Sequence, residues 1–169
     1  MQNIYFVRGA PGSGKTTIAN EMVEKHGMVG VEADQFFERD GEYKFNAALL
    51  GRAHDWAKKK LIEALAAGKN VVVSNTSTKI SEVDGYLKGV SRSVTVTVID
   101  LSPGGSRAKY KNEHGVPADR VKAIVEKFEE FPAGERKGKT LSGKATMPDG
   151  ETMSIPDSVS YVVWIGVKK

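Results

Sequence analysis

The sequence has no cysteine and only six prolines in 169 residues. The missing thiols exclude disulfides, Cys-based zinc sites and thiolate nucleophiles. No apolar run approaches the roughly 20 residues of a membrane helix. Residues Met1 to Val7 show neither the apolar region nor the cleavage site of a signal peptide. These absences predict a cytoplasmic protein. No internal repeat and no low-complexity tract interrupts the chain. What is present is an ordinary globular mixture, 27% charged and 40% hydrophobic. A chain of this length can bury a self-sufficient core, so a single domain over residues 1–169 is expected.

The formal net charge is +4. Residues 1–103 carry 13 basic and 12 acidic side chains, residues 104–144 carry ten and six, and residues 145–169 carry two and three. The basic excess therefore sits in one stretch after residue 103. A cationic flap of this kind suits ATP phosphates at least as well as a nucleic-acid track.

Strand and helix signals alternate along residues 1–132. Ile4–Val7 reads as a buried strand ending at Gly9. Residues 15–26 read as a helix with Ile18, Ala19, Met22 and Val23 on one face and Gly27 as its stop. Met28–Val31 is a second strand. The stretch 34–45 is polar and irregular, with an Asp40-Gly41 turn. Asn46 is placed to cap the next helix. That helix carries Leu49, Leu50, Ala53, Trp56, Ala57, Leu61, Ala64 and Leu65, and Gly68 stops it. Val71–Val73 is wholly apolar, as central parallel strands are. Ile80, Val83, Leu87 and Val90 space a third helix. Val94–Ile99 alternates Val and Thr, which predicts a strand with one face less buried. Pro117 suits a first helical residue. Val121, Ile124, Val125, Phe128 and Phe131 follow as an apolar stripe that Pro132 ends.

This order implies an α/β fold, a mostly parallel sheet with helices on both faces. Residues 133–169 differ. Pro148-Asp149-Gly150 reads as a hairpin turn between Thr140–Met147 and Glu151–Ile155, and Val159–Val167 reads as a final edge strand.

The strongest motif is Gly9-Ala10-Pro11-Gly12-Ser13-Gly14-Lys15-Thr16, with Thr17 following. It has the P-loop spacing, after a strand and before an amphipathic helix. Its glycines let successive N–H groups turn toward one point, and the helix N-terminus adds partial positive charge there. Lys15 is a point charge for the β- and γ-phosphates, and the Thr16 hydroxyl is a ligand for Mg²⁺. The expected fold is that of P-loop NTPases and kinases, with ATP and Mg²⁺ as cofactors. The loop does not say whether the phosphate is hydrolysed or transferred.

Chemistry in such folds sits at the C-terminal ends of the strands. Asp34 follows the second strand and is a candidate base for an acceptor hydroxyl. Glu32 is an alternative carboxylate. Ser74-Asn75-Thr76 follows the third strand, where many P-loop proteins carry an Asp on Mg²⁺. Asn75 and Thr76 can still hydrogen-bond a metal-bound water or an acceptor, but the missing acid weakens a GTPase or motor reading. Arg39 can hold an acceptor phosphate or simply be solvated. Phe36, Phe37, Tyr43 and Phe45 either stack on a base or plug the edge of the core. Trp56 reads as core, and His54 as a buried partnered histidine or an acceptor contact. Lys58-Lys59-Lys60 reads as a solvated face. His26 and His114 lack metal-ligand partners, so no zinc site is expected.

Gly9–Thr17, Asp34, Asp40-Gly41-Glu42-Tyr43-Lys44-Phe45-Asn46, Ala53-His54-Asp55-Trp56, Asn75-Thr76 and His114-Gly115-Val116-Pro117 together resemble the polynucleotide-kinase-like P-loop phosphotransferases. The resemblance covers about residues 1–132. It implies that Asp34 is the general base, that Lys15 and Thr16 hold ATP and Mg²⁺, and that a lid near residues 102–116 closes over the nucleotide. The family's lid carries arginines just before the Gly-Val-Pro helix; here the lid is short and holds Arg107, Lys109 and Lys111, with Lys111 in the place of an arginine. Lys111 lacks the planar fork that clamps two phosphate oxygens. Asn75 falls where the phage member has an acid.

The expected function is ATP-dependent phosphoryl transfer to a hydroxyl, foremost the 5′-hydroxyl of a polynucleotide or a nucleotide-like acceptor. Two alternatives remain open on the sequence. One is a kinase for a small hydroxylated metabolite, an antibiotic or a modified DNA base. The other is a nucleotide-binding module or slow ATPase with no acceptor.

Overall fold

The computed structural model describes residues 2–77, 79–91, 93–101, 116–129 and 138–166. The chain runs β1 (Asn3–Arg8), α1 (Lys15–His26), β2 (Val29–Val31), β3 (Glu38–Arg39), β4 (Glu42–Tyr43), α2 (Leu50–Ala66), β5 (Val71–Asn75), α3 (Ile80–Leu87), β6 (Val94–Asp100), α4 (Ala118–Glu126), β7 (Gly138–Thr146) and β8 (Thr152–Gly166). Short 3-10 helices at Ala33–Phe37 and Ala47–Leu49 precede β3 and α2. Among the described residues no helix is long and apolar enough to cross a membrane.

The main sheet has six strands in the order β2-β5-β1-β6-β8-β7. The first four are parallel, as the alternating strand and helix pattern predicts. Ile4 lies between Val71 of β5 and Val96 of β6. Burying both sides of β1 explains why it reads as an unbroken apolar run. One face packs on α2 and α3 through Ala53, Ala57, Leu61, Val83 and Leu87. The other packs on α1 through Ile18, Ala19 and Met22. The helices fall on opposite faces because each crossover between parallel strands keeps one hand. All four parallel strands thus end on one edge of the sheet, which carries the P-loop, Asp34 and Asn75.

The C-terminal β extension is a hairpin, as the Pro148-Asp149-Gly150 turn predicts, and β8 pairs antiparallel with β6. Three expectations need correction. With Val167 outside the described residues, the two expected segments, Glu151–Ile155 and Val159–Val167, fall on one strand, β8 (Thr152–Gly166), running through Pro156. The β7 register jumps there, with Leu141 opposite Val159 and Gly143 opposite Ile155. Pro156 therefore falls in an irregularity, where its absent N–H removes no regular ladder bond. Secondly, β6 is not half-exposed. Flanking by β1 and β8 puts it inside the sheet, and Thr97 is as buried as its valine neighbours. Thirdly, α4 stops at Glu126 with none of its residues fully buried, and Pro117 caps it rather than opening it.

The hairpin also closes over α1. Ala145, Met147 and Met153 join the same apolar cluster as Ile18 and Met22. His26 Nδ1 at the end of α1 lies 2.9 Å from Asp149 in the hairpin turn.

Candidate active site

The P-loop takes the form that its glycines allow. Gly12 and Gly14 have φ of 81° and 93°, which a residue with a Cβ rarely adopts. The Ser13 N–H donates to the Ala10 carbonyl at 3.0 Å, closing the turn. A Cβ on Gly9 would run into the Ser13 hydroxyl. Gly14 then caps α1 without a side-chain hydrogen bond, and no acidic residue sits in the first helical turn. The positive end of a 12-residue helix is thereby left for an outside anion. The buried Ser13 hydroxyl has no hydrogen-bond partner among the described residues. This uncapped, glycine-lined concavity fits a polyphosphate. Lys15 and Thr16 are half-buried on its rim, while Thr17 is exposed.

Asp34 is half-buried on the 3-10 helix after β2. That helix is fixed from three sides. Glu32 and Gln35 form a reciprocal capping box across its start. Lys60 Nζ on α2 donates to Gln35 Oε1 at 3.0 Å. The Ala33 N–H donates to Asn75 Oδ1 at 2.9 Å. Glu32, the alternative carboxylate, is thus occupied in capping. Asp34 Oδ1 accepts the Tyr43 hydroxyl at 3.0 Å. Burial first, and then the Asp34 carboxylate, hold the Tyr43 phenol well above its ordinary pKa, so it remains a proton donor.

Asn75 is buried, and its amide joins two elements rather than facing open space. Its Nδ2–H donates to Tyr86 Oη at 3.0 Å. Tyr86 Oη lies 2.8 Å from His54 Nδ1. With one proton coming from Asn75, the phenolic proton is left for His54. Burial, with help from Lys58, pushes the His54 pKa down. His54 is thus the partnered histidine of the two sequence readings. Thr76 is half-buried beside Asn75. Trp56 is partly buried against the α2 side of the core.

Arg39 pairs through its backbone with Glu42 on the β3–β4 ladder; its side chain lies outside the described residues. So do Arg107, Lys109, Lys111 and the rest of the expected lid from residue 102 to 115.

Sequence reading missed Arg8. It is completely buried immediately before the P-loop. Its Nη1 contacts Asp100 Oδ2 at 3.0 Å and donates to the Glu129 carbonyl at 2.7 Å. Nε and Nη2 both donate to the Ser77 carbonyl, and the guanidinium lies 4.2 Å from the centre of the Phe128 ring. A signal was available. Arg8 and Asp100 are opposite charges that each end an otherwise apolar or Val/Thr strand. Tyr86 was missed because only its aliphatic neighbours carry the stripe of α3.

The parallel sheet and the loop after β1 define the class: this is a P-loop kinase-like domain. The chain belongs to the AAA_33 family, whose model, described as an AAA domain, matches residues 4–131. NEDD4-binding protein 2 of Homo sapiens is 26% identical over 137 residues, 76% of this chain but 8% of that protein. Shikimate kinase of Persephonella marina is 30% identical over 134 residues, 76% of this chain and 80% of that enzyme. A chain of the Pnkp1/Rnl/Hen1 RNA repair complex has a TM-score of 0.60 at 18% identity, over 75% of this chain and 44% of that one. An unliganded sugar kinase from Janibacter has a TM-score of 0.58 at 20% identity, over 78% and 80%. The chain therefore spans less than a tenth of the human relative and under half of the RNA-repair chain.

Proposed function

We propose that this chain is an ATP- and Mg²⁺-dependent kinase that phosphorylates a hydroxyl, foremost the 5′-hydroxyl of a nucleic-acid end or of a nucleotide-like acceptor. The observation that carries this is Asp34 Oδ1 already accepting a hydroxyl proton, that of Tyr43, at 3.0 Å. An acceptor hydroxyl needs the same contact to lose its proton.

ATP bound in the loop supplies the phosphoryl group. The loop N–H groups and Lys15 would hold its phosphates, and the Thr16 hydroxyl would hold Mg²⁺. Asp34 takes the proton from the acceptor oxygen. Asn75 acts on Asp34 through the Ala33 N–H, by fixing the turn that aims the carboxylate. Thr76 and Arg39 would bind the acceptor. Arg107 and Lys111 would balance charge on the phosphates as transfer proceeds.

A second reading, a kinase for a small hydroxylated metabolite, draws support from the 30% identity to a shikimate kinase. The test is radiolabelled ATP offered with 5′-hydroxyl DNA and RNA, nucleosides, shikimate and gluconate. Transfer to a base-bearing acceptor supports the first reading, and transfer only to the small acids supports the second. ATP turnover with no acceptor labelled would overturn both.

A further inference from the structure

Four aromatic side chains lie on the segment that follows Asp34, Phe36, Phe37, Tyr43 and Phe45, and the structure separates them. Phe37 is buried, and Phe36 packs between it and Trp56, with centroids 5.4 and 6.2 Å apart. These two plug the core. Tyr43 and Phe45 face outward, 36% and 47% exposed. Their rings are nearly parallel, 16° apart, with centroids 6.4 Å from each other. Both rest against the buried Phe37, at 6.3 and 5.2 Å. The hairpin that carries them is pinned by successive positive φ values at Asp40 and Gly41 and by Lys44 N–H on the Phe37 carbonyl. Tyr43 is further tied to Asp34 through its hydroxyl.

Two exposed rings held nearly parallel and backed by a third, with the Tyr43 hydroxyl donating to the candidate base, present preorganised aromatic faces. A single exposed aromatic would need no explanation. The charge around the pair narrows the occupant. Residues 32–46 carry five carboxylates, Glu32, Asp34, Glu38, Asp40 and Glu42, against Arg39 and Lys44. Such a surface repels a phosphodiester chain laid along it, and it repels a ring bearing a carboxylate. It accepts an uncharged flat ring, which stacks on aromatic faces whatever its sequence identity.

We propose that Tyr43 and Phe45 are the platform on which the acceptor's nucleobase stacks. The acceptor is then a nucleoside, or the terminal nucleotide of a strand whose chain leads away from the hairpin. This rests on the kinase reading of Asp34 and adds the part of the acceptor that is recognised.

The test has a turnover arm and a binding arm. In the first, acceptor KM and kcat are measured for thymidine, a 5′-hydroxyl oligonucleotide, shikimate and gluconate. Phe45→Ser is expected to raise KM for base-bearing acceptors roughly 5- to 150-fold, the span one lost stack implies, with the KM for ATP unmoved. Phe45→Trp is expected to restore it, and Leu50→Ser, at an exposed site on α2, to change nothing. In the second arm, thymidine is titrated with ADP present and the Tyr43 and Phe45 ring protons are followed by NMR. Shifts confined to those rings and lost in Phe45→Ser support the platform. Their absence overturns it, as does an unchanged KM in Phe45→Ser. Stacking without transfer to any acceptor would instead overturn the kinase reading and leave the platform standing.

Discussion

Arg8 Nη1 and Asp100 Oδ2 lie 3.0 Å apart, with side chains only 1% and 3% exposed. The pair joins the strand entering the P-loop to the end of β6, and the remaining Arg8 donors reach Ser77 and Glu129. Asp100→Asn leaves a guanidinium buried without its counter-charge, at a cost of about 3–5 kcal/mol. Equilibrium urea unfolding is expected to show an earlier midpoint at unchanged slope. Replacing both residues with apolar ones, Arg8→Met with Asp100→Leu, is expected to recover much of that loss. A wild-type midpoint for Asp100→Asn would mean that the two carbonyls suffice.

Lys15 and Asp34 separate nucleotide binding from transfer. Lys15→Ala removes the phosphate point charge, and transfer is expected to vanish. Asp34→Asn keeps the shape but not the basicity. Transfer is expected to fall by about a hundredfold or more while ATP affinity holds. Normal turnover by Asp34→Asn on the true acceptor would sink the base assignment.

Gly9 is constrained by Ser13 rather than by its own φ. A Cβ there meets the buried Ser13 hydroxyl and, at 3.2 Å, the Leu101 Cβ. Overpacking of this kind costs about 1–3 kcal/mol. Nucleotide affinity in Gly9→Ala is expected to drop by about tenfold, which titration calorimetry measures. Gly51→Ala, where the added carbon meets open space, is the control.

His54 sets a pH dependence. Burial lowers its pKa from the ordinary 6.5. Below pH 6.5 the unfolded chain therefore binds a proton that the folded chain refuses. The His54 contribution is full above that pH and is lost as pH falls toward the folded pKa. His54→Gln is expected to flatten the decline between pH 7 and 5 in thermal melts. Tyr86→Phe leaves Asn75 and His54 without their shared partner, and is expected to destabilise by about 1–3 kcal/mol. An identical pH slope in wild type and His54→Gln would remove His54 from the account.

The elements that the sequence discloses are those set by local rules. Helix α1 spans Lys15–His26 as read, because the P-loop precedes it and Gly27 takes φ 65° at its end. Asn46 does cap, but its side chain accepts from Ala48 on a 3-10 helix, and α2 follows from Leu50. Features set by distant neighbours stay hidden. Nothing near Thr97 announces that β8 will cover its edge, and nothing near Pro156 announces a bulge in the partner register. The P-loop and Asp34 were legible as motifs. Their supports were not: Arg8 and Asp100 are 92 positions apart and His54 and Tyr86 are 32 apart, beyond any local window, while Asn75 and Tyr86, 11 apart, share no periodic pattern that would pair them.

The placement of β1 has a consequence for assembly. Its partners are β5, beginning at Val71, and β6, beginning at Val94. A growing chain that has reached residue 70 contains the whole phosphate-binding motif but no strand to hold it. Parallel pairing over such separations is slow, because loop closure precedes the contacts that reward it. Fluorescent nucleotide added during refolding is expected to be captured only as the sheet signal reaches its plateau. The loop is thus written first and becomes competent last.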